Sequence, residues 1–210
     1  MEEKLNKRML SILKVLKKTY PEAKCSLNYD SPFQLLIATI LSAQCTDDRV
    51  NQVTPVLFRR YPTALEMSRA TLGEIEKIIR STGFFRSKAL SIQNVSQTLL
   101  EKYRGAVPRE LDLLVEMRGV GRKTANVVLG NAFGIPGLVV DTHVGRISRR
   151  MGFTKAKDPV KVEEDMRGIV PKKEWVIYSH LLIAHGRAIC TARKAMCEKC
   201  PLNEVCEKVL

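Results

Sequence analysis

No run of apolar residues in this chain reaches the length of a membrane span. The start, Met1-Glu2-Glu3-Lys4-Leu5, is charged and lacks the apolar segment of a secretory leader. Both absences point to a cytoplasmic protein without membrane association. Strand-like alternation is scarce, which argues against a sheet as the scaffold. No internal repeat, low-complexity tract or flexible linker is visible, which argues against a solenoid or a disordered arm. Acidic residues are in short supply, 22 against 35 lysines and arginines. Cysteine is almost absent before the last stretch of chain. Cys25 and Cys45 stand alone with no partner at ligand spacing, and read as buried structural thiols.

What is present follows from that balance. The net charge is +13 and the pI is near 9.6, an electrostatic footprint for a polyanion. Nucleic acid fits better than an anionic membrane, because no basic amphipathic arm stands apart from the fold. At 210 residues, 45% of them hydrophobic, the chain can bury one large core or two small ones.

Nearly every segment carries the helical period. Met9, Leu10, Ile12, Leu13 and Leu16 form one face of a first helix, which Pro21 ends. Ser31-Pro32 is an N-cap and first-turn proline opening the apolar run Phe33 to Ala43. Thr46, Asp47 and Asp48 start a helix bearing Val50, Val53 and Leu57, and Thr71-Leu72-Gly73-Glu74 is a capping box. Further helices are expected over 87–103, 110–118, 122–133, 141–151, from Asp158-Pro159 towards Gly168, and over 173–188.

Four cysteines crowd the end of the chain: Cys190, Cys197, Cys200 and Cys206, spaced C-x6-C-x2-C-x5-C. Such spacing can bring four thiolates to one metal centre, with Cys197 and Cys200 as the chelating core. A cytoplasmic setting makes disulfides the weaker reading. Spacing alone admits either an iron–sulfur cluster or a zinc ion, although zinc ribbons more often use two C-x2-C pairs.

The second signal is Gly119-Val120-Gly121-Arg122-Lys123. A helix, a glycine turn and another helix bring main chain close to a ligand. Glycine removes the Cβ that would block a phosphate, and the N–H groups opening the second helix favour an anion. Arg118 and Arg122 add charge. The bland alternative is an ordinary tight turn. Lys123 is the candidate nucleophile. The helix N-terminus, the two arginines and partial burial would each favour the neutral amine that imine chemistry needs. Its alternative is a solvated phosphate contact. Asp141, between Leu138-Val139-Val140 and Thr142-His143, reads as a helix N-cap or as a carboxylate facing cationic charge. His143, His180 and His185 show no ligand spacing.

These residues resemble a family. Gly119 to Ala125, Val140-Asp141-Thr142-His143 and the four-cysteine cluster are similar to bacterial and archaeal endonuclease III, base-excision DNA glycosylases of the helix-hairpin-helix superfamily. Leu41-Ser42-Ala43-Gln44 and Ser87-Lys88-Ala89 extend the likeness over nearly the whole chain. The resemblance implies an all-α fold of two helical domains flanking a DNA-binding cleft. A six-helix barrel with the hairpin would span residues 25–135. Residues 1–24 and 136–210 would form a discontinuous domain around a [4Fe-4S] cluster held by Cys190, Cys197, Cys200 and Cys206. Lys123 would be the Schiff-base nucleophile and Asp141 its assisting carboxylate. Gln44 would fill the space of a flipped nucleotide, and Phe84 would wedge into the opposite strand. Arg118, Gly119, Val120, Gly121 and Arg122 would grip the DNA backbone. The implied activity is removal of oxidised pyrimidines such as thymine glycol from double-stranded DNA by a monomer, followed by β-elimination at the abasic site.

The chain departs from the family pattern at Met117-Arg118, where Leu-Pro is common, and at Phe84, where a smaller aliphatic is common. Two other functions compete. A monofunctional glycosylase for mismatched bases would lack a lysine at position 123. A non-catalytic DNA-binding or redox-sensing module would need neither Lys123 nor Asp141.

Overall fold

Helix starts are written locally, and the structure uses them. The computed structural model describes residues 2–209, and α-helices are its dominant secondary structure. Among the described residues there is no strand, only an isolated bridge between Cys190 and Ala195. Ser31 accepts a hydrogen bond from the Gln34 N–H and opens α2 (Pro32–Leu41). Thr46 caps α3 (Asp47–Arg60) in the same way. Thr63 with Glu66 and Thr71 with Glu74 form capping boxes on α4 (Ala64–Arg69) and α5 (Leu72–Ile79). Each cap satisfies an orphan N–H and is worth about 1 kcal/mol.

The chain divides into two compact units, one of Cys25–Ile135 and one that joins the residues up to Lys24 to those from Pro136 onward. The first unit contains α2 to α5, α6 (Phe85–Tyr103), α7 (Leu111–Val115) and α8 (Arg122–Phe133). Its centre is α2, which is apolar all round and buries Phe33 through Leu41 without interruption except at Gln34. A helix with no polar face must be wrapped by others, and α3, α6 and α8 pack against it. Ile75, Ile79, Ile92, Val95, Leu99, Val128 and Leu129 complete that core.

The second unit pairs α1 (Glu2–Thr19) with α11 (Trp175–Ala188), and packs α9 (Thr142–Arg150) against α11 and α10 (Pro159–Arg167). Met9, Ile12, Leu13 and Leu16 of α1 are buried beside Ile147, Met166, Leu181 and Leu182. Tyr178 is fully buried, and its hydroxyl lies 2.9 Å from Ser148 Oγ. Among the described residues no helix is long and apolar enough to cross a membrane.

Two elements differ from expectation. The helix expected over 110–118 stops at Val115. The Met117 N–H bonds back to Leu114 O at 3.2 Å, a tighter turn that lets the chain reverse before Gly119. Cys25 and Cys45 are half-buried at the edge of the first core rather than enclosed by it.

Candidate functional site

The hairpin lies in the first unit, between α7 and α8. Val120 is 4% exposed and its N–H donates to Met117 O at 3.0 Å. The Val120 side chain anchors the turn from inside, which leaves its main chain for the expected grip on a DNA backbone. Gly119 adopts φ +92°, and a Cβ there would stand 2.7 Å from Ser91 Cβ and Oγ on α6. Both the dihedral and the space therefore demand glycine. Gly119→Ala is expected to lower the unfolding free energy by about 2–4 kcal/mol, combining left-handed strain with overpacking. Urea denaturation measures this directly.

Gly121 is the opposite case. Its φ is −87° and nothing lies within 4 Å of where a Cβ would go. Neither the backbone nor the packing requires glycine there, so the open space is available to something outside the chain. Gly121 is also the N-cap of α8 and provides no side-chain cap. The N–H groups of the first turn thus keep their capacity for an external anion. Arg118, Arg122 and Lys123 are exposed around this turn. The exposure of Lys123 corrects the expectation of partial burial. At the second position of α8 its side chain leaves the helix at the rim, away from the core that takes Ala125 and Val128.

Gln44 and Phe84 share an unusual property. Both are non-glycine residues in the left-handed region, with φ +52° and +47°. For a bulky residue this conformation is an outlier that persists only where the surroundings fix it. Gln44 is exposed in the loop after α2, and Phe84, at 67% exposure, precedes α6.

Asp141 belongs to the second unit, whereas Lys123 belongs to the first. Asp141 Oδ1 accepts the Val144 N–H at 2.8 Å and caps α9. Capping engages one oxygen and leaves Oδ2 for a second role.

The four clustered cysteines line one small, partly open pocket, with Arg150, His185 and Leu202 also in its wall. Main-chain N–H groups point at sulfur: Leu202 to Cys200 and Lys208 to Cys206, both at 3.4 Å. Arg150 Nη1 reaches Cys190 Sγ at 3.3 Å. Among the described residues the cysteines form no disulfide. Also among them, no three Cys, His, Asp or Glu side chains converge tightly enough for a single ion. A lone zinc needs four sulfurs, each about 2.3 Å from one point. Four cysteines around one cavity are the donor set of a thiolate-bound metal centre. Burial pushes the Cys200 and Cys206 thiols up.

His185 was missed by reasoning from spacing. Its Nδ1 lies 3.0 Å from the Tyr20 hydroxyl and its Nε2 lies 3.6 Å from Cys200 Sγ. Burial pushes its pKa down to about 4. No local pattern marks it, because its partners come from both ends of the chain.

Comparison with known proteins bears on this geometry. The family model "HhH-GPD superfamily base excision DNA repair protein" matches residues 37–172. Endonuclease III of Synechocystis sp. is 52% identical over 200 residues, covering 95% of this chain and 91% of that protein. Endonuclease III of Bacillus subtilis is 45% identical over 190 residues, covering 90% and 87%. Among solved structures, a non-covalent endonuclease III–DNA complex is 45% identical with TM-score 0.91, covering 97% of this chain and 95% of that one. A trapped endonuclease III–DNA covalent intermediate gives the same identity and TM-score. A thermostable thymine-DNA glycosylase shares the fold at 22% identity and TM-score 0.87.

Proposed function

Because this chain belongs to the HhH-GPD superfamily of base excision DNA repair proteins, with endonuclease III relatives over most of its length, we propose that it excises oxidised pyrimidines from duplex DNA and nicks the resulting abasic site. The single observation that carries this reading is the hairpin: an uncapped helix, a glycine with no internal purpose, and an exposed lysine in the first turn.

In this reading the α8 N-terminus, Arg118 and Arg122 hold the backbone of the damaged strand. The main chain at Gly119 and Gly121 comes close to a phosphate. The target nucleotide leaves the stack, which is cheaper for a damaged base. Gln44 offers hydrogen bonds in its place, and Phe84 offsets the lost stacking. Bound DNA brings the sugar of the extruded nucleotide up to the exposed Lys123 amine.

The Lys123 amine attacks C1′. The C–N glycosidic bond breaks and its electron pair leaves with the base, which takes up a proton. The second oxygen of Asp141 stabilises the cationic charge developing on the sugar and helps move protons. Loss of the ring oxygen as a hydroxyl gives an imine between Lys123 and C1′. Removal of a C2′ proton then expels the 3′ phosphate, which is β-elimination.

The cysteines fit a [4Fe-4S] cluster held by Cys190, Cys197, Cys200 and Cys206. When bound, it supplies a structural cross-link, because all four thiolates serve as ligands and the chemistry is carried elsewhere. A trapped covalent intermediate of a 45% identical relative supports the covalent route.

The experiment is a borohydride trap. Duplex DNA with one thymine glycol, or one abasic site, is incubated with protein and borohydride beside Lys123→Ala. A covalent band with wild type and none with the variant is expected. No band on either duplex sinks the imine mechanism.

Two further outcomes follow from the hairpin and the charge. Gly121→Ala should leave stability nearly unchanged but weaken DNA binding about tenfold, by ~1.4 kcal/mol, because its methyl group occupies the space of the phosphate. Fluorescence anisotropy beside a urea titration separates the two effects. Binding should also fall with salt, with a log–log slope of about −4 to −5 for roughly five neutralised phosphates. A flat response would assign the +13 charge another purpose.

A further inference from the structure

Lys88 breaks the rule that lysines stay in water. It lies on α6, one turn beyond Phe84, and is only 5% exposed. A buried amine must find acceptors. Those of Lys88 are not carboxylates but two main-chain carbonyls, Leu41 O and Thr82 O, each 2.8 Å from Nζ.

The positions of these carbonyls carry the argument. Leu41 is the last residue of α2, and Gln44 follows three residues later. Thr82 ends a short 3-10 turn over Arg80–Thr82, and Phe84 follows two residues later. Carbonyls at helix ends lack a partner from their own helix. One amine therefore ties together the roots of the two loops that bear the left-handed, exposed residues Gln44 and Phe84. Strained conformations survive only where neighbours over-determine them. The Lys88 bridge is such a determinant, and it acts on both loops at once.

We propose that Lys88 is a positioning residue that couples Gln44 to Phe84, fixing the spacing at which one replaces an extruded nucleotide while the other wedges the opposite strand. This rests on the reading of Gln44 and Phe84 given above. Lys88 touches no DNA in this account. Its effect is confined to substrates in which a base must leave a duplex.

The test compares two substrates in single-turnover experiments: a duplex containing thymine glycol, and a single-stranded oligonucleotide with an abasic site, which needs no extrusion. Lys88→Met should slow the duplex reaction about 10- to 100-fold, the range of a small misplacement remote from the chemistry. It should leave the single-strand lyase rate unchanged. Lys88→Arg, which keeps donors at the site, should restore most of the duplex rate. In a Gln44→Ala/Phe84→Ala background, Lys88→Met should have no further effect, because residues acting through one another are non-additive.

Equal losses on both substrates, or the same loss in both backgrounds, would mean a general structural role and overturn the proposal. If Gln44→Ala and Phe84→Ala themselves leave the duplex rate intact, the reading of that pair fails, and the coupling with it. Should Lys88→Met not fold, Lys88→Gln, whose shorter stem cannot reach both Leu41 O and Thr82 O, enters the same cycle with the same expected duplex-specific loss.

Discussion

Lys123→Ala is expected to lower single-turnover base release from a thymine glycol duplex by about 10⁴-fold or more, or ~5.5 kcal/mol of transition-state stabilisation, and to abolish strand nicking. The two losses differ for a chemical reason. Base release can still proceed slowly through water, with Asp141 stabilising the sugar cation. Nicking by β-elimination needs the imine, and no other amine lies in the first turn of α8. Binding should hardly change, because one lysine among many basic groups accounts for about one unit of the salt slope. Lys123→Arg should be as inactive as Lys123→Ala, since guanidinium stays protonated and cannot attack carbon. An arginine variant that still nicks would move the nucleophile elsewhere. A variant that loses binding and rate by equal factors would reduce Lys123 to a phosphate contact.

Removing the proposed metal centre should have the second large effect, on folding rather than chemistry. The segment after α11 has little regular structure: a bridge between Cys190 and Ala195 and a 3-10 turn over Cys197–Lys199. Its buried anchors are few, chiefly Cys190 and Leu202. Under the proposed cluster, such a segment is held by what its cysteines bind. Structural metal sites contribute binding free energy directly to folding, about 10 kcal/mol or more for small zinc domains. Even ~2 kcal/mol lost from a unit of about a hundred residues lowers its Tm by roughly 8–16 °C. We therefore expect purified protein to be yellow-brown, absorbing broadly near ~400 nm. Cys200→Ala should bleach that band and lower the Tm by at least ~10 °C. Circular dichroism melts and iron analysis measure both. Colourless protein with stoichiometric zinc, or a bleached variant that melts like wild type, contradicts the assignment.

Much of this was legible before any fold was known, and the physical reason is range. A cap is decided by residues three apart, so Ser31, Thr46, Thr71 and Asp158 announced their helices. The capping box of Thr63 and Glu66 was equally visible, and α4 could have been found from it. Cysteine spacing and the glycine turn are local as well. The double nature of Asp141 was foreseen in part: its cap is observed, and its chemistry rests on the proposal.

What the chain by itself determined is the helical fold class, the positive charge, the hairpin and the candidate reactive groups, all written in short-range patterns. The tertiary structure alone decided which of them face inward. It buried Val120 and left Gly121 open, because a turn's inside and outside depend on α6 packed beneath it. It set Gln44 and Phe84 in left-handed conformations that no local propensity favours. It brought Lys88 to a carbonyl 47 positions away and Tyr20 to His185 across 165. Burial and hydrogen bonding at such separations depend on how helices pack together, and no window along the sequence contains both partners.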